Sequence, residues 1–220
     1  MKPREEALFL HEEILLLALR DQEGTVVSGA TYQFAIGGAL LAELLFRNRV
    51  RLDGTSKKQL VEVVDAKPIG EDLLDECLAA VANAKRRATP QSWVERFARI
   101  KQLKHRLAEQ LRERGIVGMN EDRILGIFKR TRYPEVDPRP ERRLVDRLAT
   151  AILFDAEKVD PRTVAVLSLA FYAGLLGAVV NKIQLRARKK RIKQIIDGDV
   201  AGTAVRKAIE AMQAAVIAAT

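Results

Sequence analysis

Apolar positions recur at helical spacing along most of the chain. The spacing predicts an amphipathic helix over Glu5 to Leu19, closed by the turn residues Asp21-Gln22-Glu23-Gly24, and a second helix over Tyr32 to Phe46. Period-two alternation appears briefly. Val50-Arg51-Leu52, the turn pair Asp53-Gly54 and a return over Leu60 to Val64 predict a short hairpin. Helical spacing resumes from Glu71 to Lys85. Thr89-Pro90 has the cap-then-proline order of a helix start, and the helix runs with one break to Arg114, where Gly115 is a natural stop. Two short strands are expected at Ile116 to Met119 and Ile124 to Phe128. A proline-punctuated excursion follows from Arg130 to Pro140, and then a helix from Glu141 to Phe154. Asp160-Pro161 opens an apolar helix, Arg186 to Ile196 is strongly basic, Asp197-Gly198-Asp199 turns, and Thr203 to Ala219 closes the chain. The fold class is mostly α: one domain over residues 1–220, built around a central apolar helix, with short β-hairpins.

That apolar helix raises the membrane question. Val164 to Val180 is free of charge for 17 residues, between Arg162 and Lys182. Such a length is at the short limit for a bilayer span, and it contains Ser168, Gly174 and Gly177. A buried core helix is the favoured reading over a transmembrane one, because a domain of 220 residues needs a helix that is apolar all round.

Composition removes several function classes. A single cysteine, Cys77, excludes an internal disulfide framework and a Cys-rich zinc site, and the default for it is a small buried or half-buried thiol. Two histidines, His11 and His105, leave little for a His-based metal centre, and no metal or cofactor is expected. No phosphate loop, dinucleotide fingerprint or nucleophile elbow occurs. The adjacent pairs Glu12-Glu13 and Asp75-Glu76 read as surface charge, since neighbours on a helix face different directions. His105 reads as a solvated side chain. No enzymatic activity is expected.

Charge changes the picture more. The formal net charge is +9, unevenly spread. Residues 1–80 carry net −5 (9 basic, 14 acidic), residues 81–150 net +9 (18 and 9), and residues 151–220 net +5 (11 and 6). Concentrated positive charge points to an anionic partner. Lys182 to Lys193 holds seven cations and no anion in twelve residues, among them Arg188, Lys189, Lys190 and Arg191. Such a cluster suits an anionic lipid surface or a nucleic acid, against a merely solvated helix face. A second set, Arg96, Arg99, Lys101, Lys104 and Arg106, is expected on one helix. Lys101 and Lys104 are three apart there, and with a third cation from elsewhere they would grip a phosphate monoester.

Six segments in order carry a resemblance. They are Glu12 to Gly24, Glu43 to Val50, Pro68 to Glu76, Ser92-Trp93-Val94, Arg106-Leu107-Ala108 with Leu111 ahead of Gly115, and Lys190 to Asp197. Over nearly its whole length the sequence resembles the Golgi phosphoprotein 3 family of peripheral membrane proteins that bind phosphatidylinositol 4-phosphate. The resemblance implies a head-group site in which two family arginines fall on Lys101 and Lys104, while a helix arginine falls near Gly37 and a tryptophan near Ser28 or Gly29. It also implies a projecting hairpin over about Leu125 to Val136 for membrane contact and self-association, with Arg130, Arg132 and Tyr133, the last near its tip. The short, Ala/Arg-rich chain looks like a bacterial-type member without the family's basic N-terminal arm. The expected function is binding to anionic lipid through a basic face, on the cytoplasmic side of a membrane (the Golgi in a eukaryote). The alternative is a nucleic-acid-binding protein of winged-helix type, suggested by the helix to Arg114, the two strands and pI ≈ 9.8.

Overall fold

A computed structural model describes residues 7–19, 31–53, 59–124, 128–197 and 217. The expected turns at Asp21 to Gly24 and Asp197 to Asp199, the hairpin tip at 125–127 and nearly all of the last helix lie wholly or partly outside the described residues.

The chain is mostly helical, with two small antiparallel hairpins. The first helix, α1 (Leu10–Ala18), is not amphipathic: every one of its residues is buried, His11, Glu12 and Glu13 included. The expectation of surface charge at Glu12-Glu13 is therefore corrected. Arg114 reaches Glu12 Oε2 at 2.6 Å and Arg147 reaches Glu13 Oε2 at 2.8 Å, from 102 and 134 residues away. Partners brought in by the tertiary fold are what make those burials tolerable. Even so, burial pushes both carboxyls above their ordinary range, against the opposing pull of the arginines.

Helix α2 (Thr31–Phe46) packs on α1 and lies closest to α4 (Pro90–Ala98). Gly37 explains the closeness. A Cβ there would meet the Val94 carbonyl oxygen at 2.5 Å and the Ala98 nitrogen at 3.0 Å, so the two backbones touch only because glycine has no side chain. Between these helices, β1 (Val50–Leu52) and β2 (Val61–Val63) form the expected hairpin, with Val50 opposite Val63. Glu71 caps α3 (Asp72–Ala82) by accepting from the Leu73 and Leu74 amides, and Thr89 caps α4 through Ser92.

The helix expected to reach Arg114 breaks at Gln102, which is left-handed (φ 56°), and α5 (Leu103–Glu113) starts afresh. Next come β3 (Asn120–Ile124) and β4 (Phe128–Arg132), paired with Asp122 opposite Arg130. This corrects the expected strands at 116–119 and 124–128. Ile124 pairs with Phe128 at the far end of this hairpin. Residues 116–119 extend it only loosely, through the Val117–Glu135 bridge and the Gly118 amide donating to the Pro134 carbonyl at 2.8 Å. Cross-strand register, not local apolarity, sets where the strands fall.

Helix α6 (Arg139–Leu153) leads to α7 (Pro161–Tyr172), capped by the Asp160 carboxylate accepting from the Thr163 amide at 2.9 Å. Thr163 to Ala170 is buried without interruption against α1 and α2, as a core helix requires. The 17-residue apolar run is not one helix, however. Gly174 turns left-handed (φ 71°) and a short 3-10 turn, Leu175–Ala178, follows. Among the described residues no helix is long and apolar enough to cross a membrane. The basic run is likewise split, into α8 (Lys182–Ala187) and α9 (Lys189–Ile196).

Candidate functional site

Two basic regions emerge, and neither has the composition the sequence suggests. In the first, the break at Gln102 puts Lys101 in an exposed turn and Lys104 on the first turn of α5, so they do not share one continuous helix face. Arg96, expected with them, lies over the Trp93 ring at 4.6 Å on α4. Arg106 is held by Glu76 at 2.6 Å. Lys104 is half-buried, with its Nζ 5.5 Å from the centroid of the Tyr133 ring. Burial, and then the positive charge of Arg130, holds the Lys104 ammonium below its ordinary range. Arg130 comes from β4, so the hairpin contributes a second cation beside Lys104, in a corner where two like charges are partly desolvated. An anion placed there would screen the repulsion and offset the desolvation of Lys104.

Tyr133 is not near the hairpin tip. It follows β4 at the base, is 1% exposed, and its hydroxyl bonds the His105 Nδ1. The ring holds the hairpin base onto α5 and offers nothing to a membrane. Arg130 and Arg132 are half-buried on β4.

In the second region the basic run divides by direction. Arg188 donates from Nε to the Ile152 carbonyl at 2.8 Å and from a terminal nitrogen to Asp155 at 2.7 Å. Arg191, 8% exposed, donates to the Ala156 carbonyl at 2.7 Å. These two arginines satisfy carbonyls in the last turn of α6 and in the segment just after it, so they fasten α9 to α6. Lys189 and Lys190 remain exposed, and Lys182, Arg186 and Lys193 join them. In sequence, Arg188 to Arg191 form one basic block; the three-residue spacing of Arg188 and Arg191, with apolar Ile192 and Ile195 beside them, is the sign that part of it turns inward. An open cleft of about 300 Å³ lies here, lined by Asp155, Ala187, Arg188, Lys190, Arg191 and Gln194.

Chemistry of other kinds finds little support among the described residues. No group of three or more His, Cys, Asp or Glu is arranged to hold a metal ion. Cys77 is buried, and burial pushes its thiol well above the ordinary value. Glu43, the most elaborately held carboxylate, is fully buried. It accepts from Arg162 at 2.9 and 3.1 Å, Arg47 at 2.9 Å and the Leu10 amide at 3.1 Å, which ties α1, α2 and α7 together.

The chain is a mostly helical protein with exposed cations on α8 and α9 and half-buried arginines on the second hairpin. The model of the family described as Golgi phosphoprotein 3 (GPP34) matches residues 10–212, and the chain belongs to that family. It is 24% identical over 226 aligned residues to vacuolar protein sorting-associated protein 74 of Schizosaccharomyces pombe. That alignment takes in 88% of this chain and 66% of the relative.

Proposed function

We propose that the chain is a peripheral membrane protein that docks on anionic lipid head groups from the cytoplasmic side, with phosphatidylinositol 4-phosphate as the head group taken at the Lys104–Arg130 corner. The observation that carries this reading is the half-buried Lys104, its Nζ 5.5 Å from the centroid of the Tyr133 ring at the base of the hairpin that bears Arg130; a lysine whose charge is disfavoured by burial and by that arginine gains from a bound phosphate. Lys101 in the adjoining turn supplies a further cation at the rim. The exposed lysines of α9 add a diffuse attraction, of about 1 kcal/mol for each cation near an anionic leaflet. Membership of the Golgi phosphoprotein 3 family, and a relative named for vacuolar protein sorting, favour a membrane-trafficking setting, the Golgi in a eukaryote. The hairpin is the element proposed for self-association.

The site departs from the resemblance at Gly37. A side chain at that position would run into the backbone of α4, so no arginine enters the corner from there. The head group is then held by lysines and a hairpin arginine, with less bidentate geometry than an all-arginine site.

Binding to vesicles with phosphatidylinositol 4-phosphate, measured beside vesicles of equal charge without it, tests the reading. Lys104→Ala with Arg130→Ala should weaken the first at least about 10-fold more than Arg142→Ala with Arg143→Ala does. Equal losses would mean a diffuse basic surface without a head-group site. Tighter binding to duplex DNA than to either vesicle would favour the nucleic-acid alternative.

A further inference from the structure

The outer face of α8 combines two things that folding alone does not call for. Leu185 packs on the core, while Lys182, Ile183, Arg186 and Ala187 point outward, at the spacing of a single helix face. Ile183 is 80% exposed, the most exposed large apolar side chain among the described residues. Second is Phe154, at 65%. It stands in the turn after α6, next to Asp155, which Arg188 binds at the α8–α9 junction. One exposed apolar residue on a surface needs no explanation. Here the two most exposed ones belong to segments fastened together by Arg188, beside a run of cations without an anion.

We infer that this face is the edge that enters the bilayer: Ile183 and Phe154 dip into the interfacial region of an anionic membrane while Lys182, Arg186, Lys189 and Lys190 lie at head-group level. The inference rests on the anionic-lipid reading and adds to it the face and depth of contact. An apolar side chain set among cations, as Ile183 is between Lys182 and Arg186, is the arrangement of interfacial anchors, in which apolar burial and attraction to anionic lipid add; the Asp155 carboxylate beside Phe154 is paired with Arg188. A nucleic acid would satisfy the cations and leave Ile183 in water. The remaining charge also fits, because exposed like charges between Lys182 and Lys193 repel one another until an anionic surface lies against them. Arg188 and Arg191 take no part in the contact; they hold α9 and the Phe154 turn in fixed relation.

An environment-sensitive fluorophore attached to Ile183→Cys, to Phe154→Cys and to Gln91→Cys tests the assignment in the folded full chain. Cys77 is buried and stays unlabelled. With phosphatidylcholine vesicles containing phosphatidylglycerol, the dyes at 183 and 154 should shift to the blue, brighten several-fold and be quenched by spin-labelled lipid. The dye at 91, on the exposed side of α4, should not change. Ile183→Ser should weaken partitioning roughly 10-fold while leaving the salt dependence as it is, because it removes apolar burial and no charge. If the protein floats with these vesicles while the dyes at 183 and 154 stay in water, this face is not the one that docks, and the anionic-lipid reading stands. If the unlabelled protein does not float with them at all, that reading fails and the inference fails with it.

Discussion

Replacing His11 with leucine should remove much of the protein's sensitivity to mild acid. His11 is fully buried in α1, stacked on Phe9 with ring centroids 5.4 Å apart. Neither ring nitrogen has a hydrogen-bond partner. Glu71 Oε2 lies 3.8 Å from Nε2, but that carboxylate is engaged in capping α3. Burial lowers the imidazole to about 3, with Glu43 opposing it and with Arg47, just past α2, and Arg162 of α7 adding smaller lowering effects. An unfolded chain titrates near the ordinary 6.5. The folded value lies below the unfolded one, so the neutral ring favours folding above pH ~6.5, and that stability is lost as pH falls toward ~3. At 1.36 kcal/mol per pH unit, the loss is about 2.7 kcal/mol by pH ~4.5 and approaches roughly 5 kcal/mol at the end of the window. Glu12 and Glu13 act in the opposite sense, because their raised values favour the folded state as they take up protons. The comparison of wild type with His11→Leu cancels them. Leucine has a similar volume and no nitrogen to leave unpaired, so at neutral pH the variant should be as stable as wild type or more so. Urea unfolding followed by the fluorescence of Trp93, the single tryptophan, gives both stabilities. The wild type should lose about 2–3 kcal/mol more than the variant between pH ~7.5 and ~4.5. Equal losses in the two proteins would refute the reasoning.

Other substitutions probe the packing beneath the site. Glu43→Ala strips the carboxylate that joins Arg162, Arg47 and the Leu10 amide; the arginines are partly exposed and rehydrate, so a loss of about 3 kcal/mol is expected in the same unfolding assay, and one under ~1 kcal/mol would contradict the bridging role. Because the arginines and the Leu10 amide hold Glu43 below its ordinary range in spite of burial, its stabilisation is present above the unfolded carboxylate range and fades as pH drops through the lowered folded value. Gly37→Ala forces α2 from α4 and should cost about 1–3 kcal/mol, whereas an unchanged melting temperature would deny the close approach.

Much of this architecture is legible from local pattern, and the exceptions share a cause. Thr89-Pro90 and Asp160-Pro161 mark helix starts because capping is chemistry among neighbours. The Val50–Val63 hairpin follows from alternation around a turn. Glu12 and Glu13 mislead because the arginines that admit them to the core lie more than a hundred residues away. Arg188 and Arg191 mislead because their partners are backbone carbonyls at and just beyond the end of another helix, which no residue pattern displays. Arg130 was visible as a hairpin residue, but not as the neighbour of Lys104; that depends on how the hairpin folds back on α5 through Tyr133. The left-handed Gly174 interrupts a helix whose composition alone would carry it on, and the left-handed Gln102 fixes where the break before Arg114 falls. What sequence leaves open is therefore the direction of the cations, and direction separates a docking face from helix ties.

Flotation with vesicles across a salt series tests the central claim most directly. The Debye length falls from about 10 Å at 0.1 M salt to about 3 Å at 1 M. Contact made by lysines and arginines at an anionic surface should follow it. The account predicts that the protein floats with phosphatidylglycerol or phosphatidylserine vesicles at low salt, is released as salt rises, and stays behind with pure phosphatidylcholine. Equal flotation with neutral and anionic vesicles, or binding to anionic vesicles that salt leaves unchanged, would contradict it.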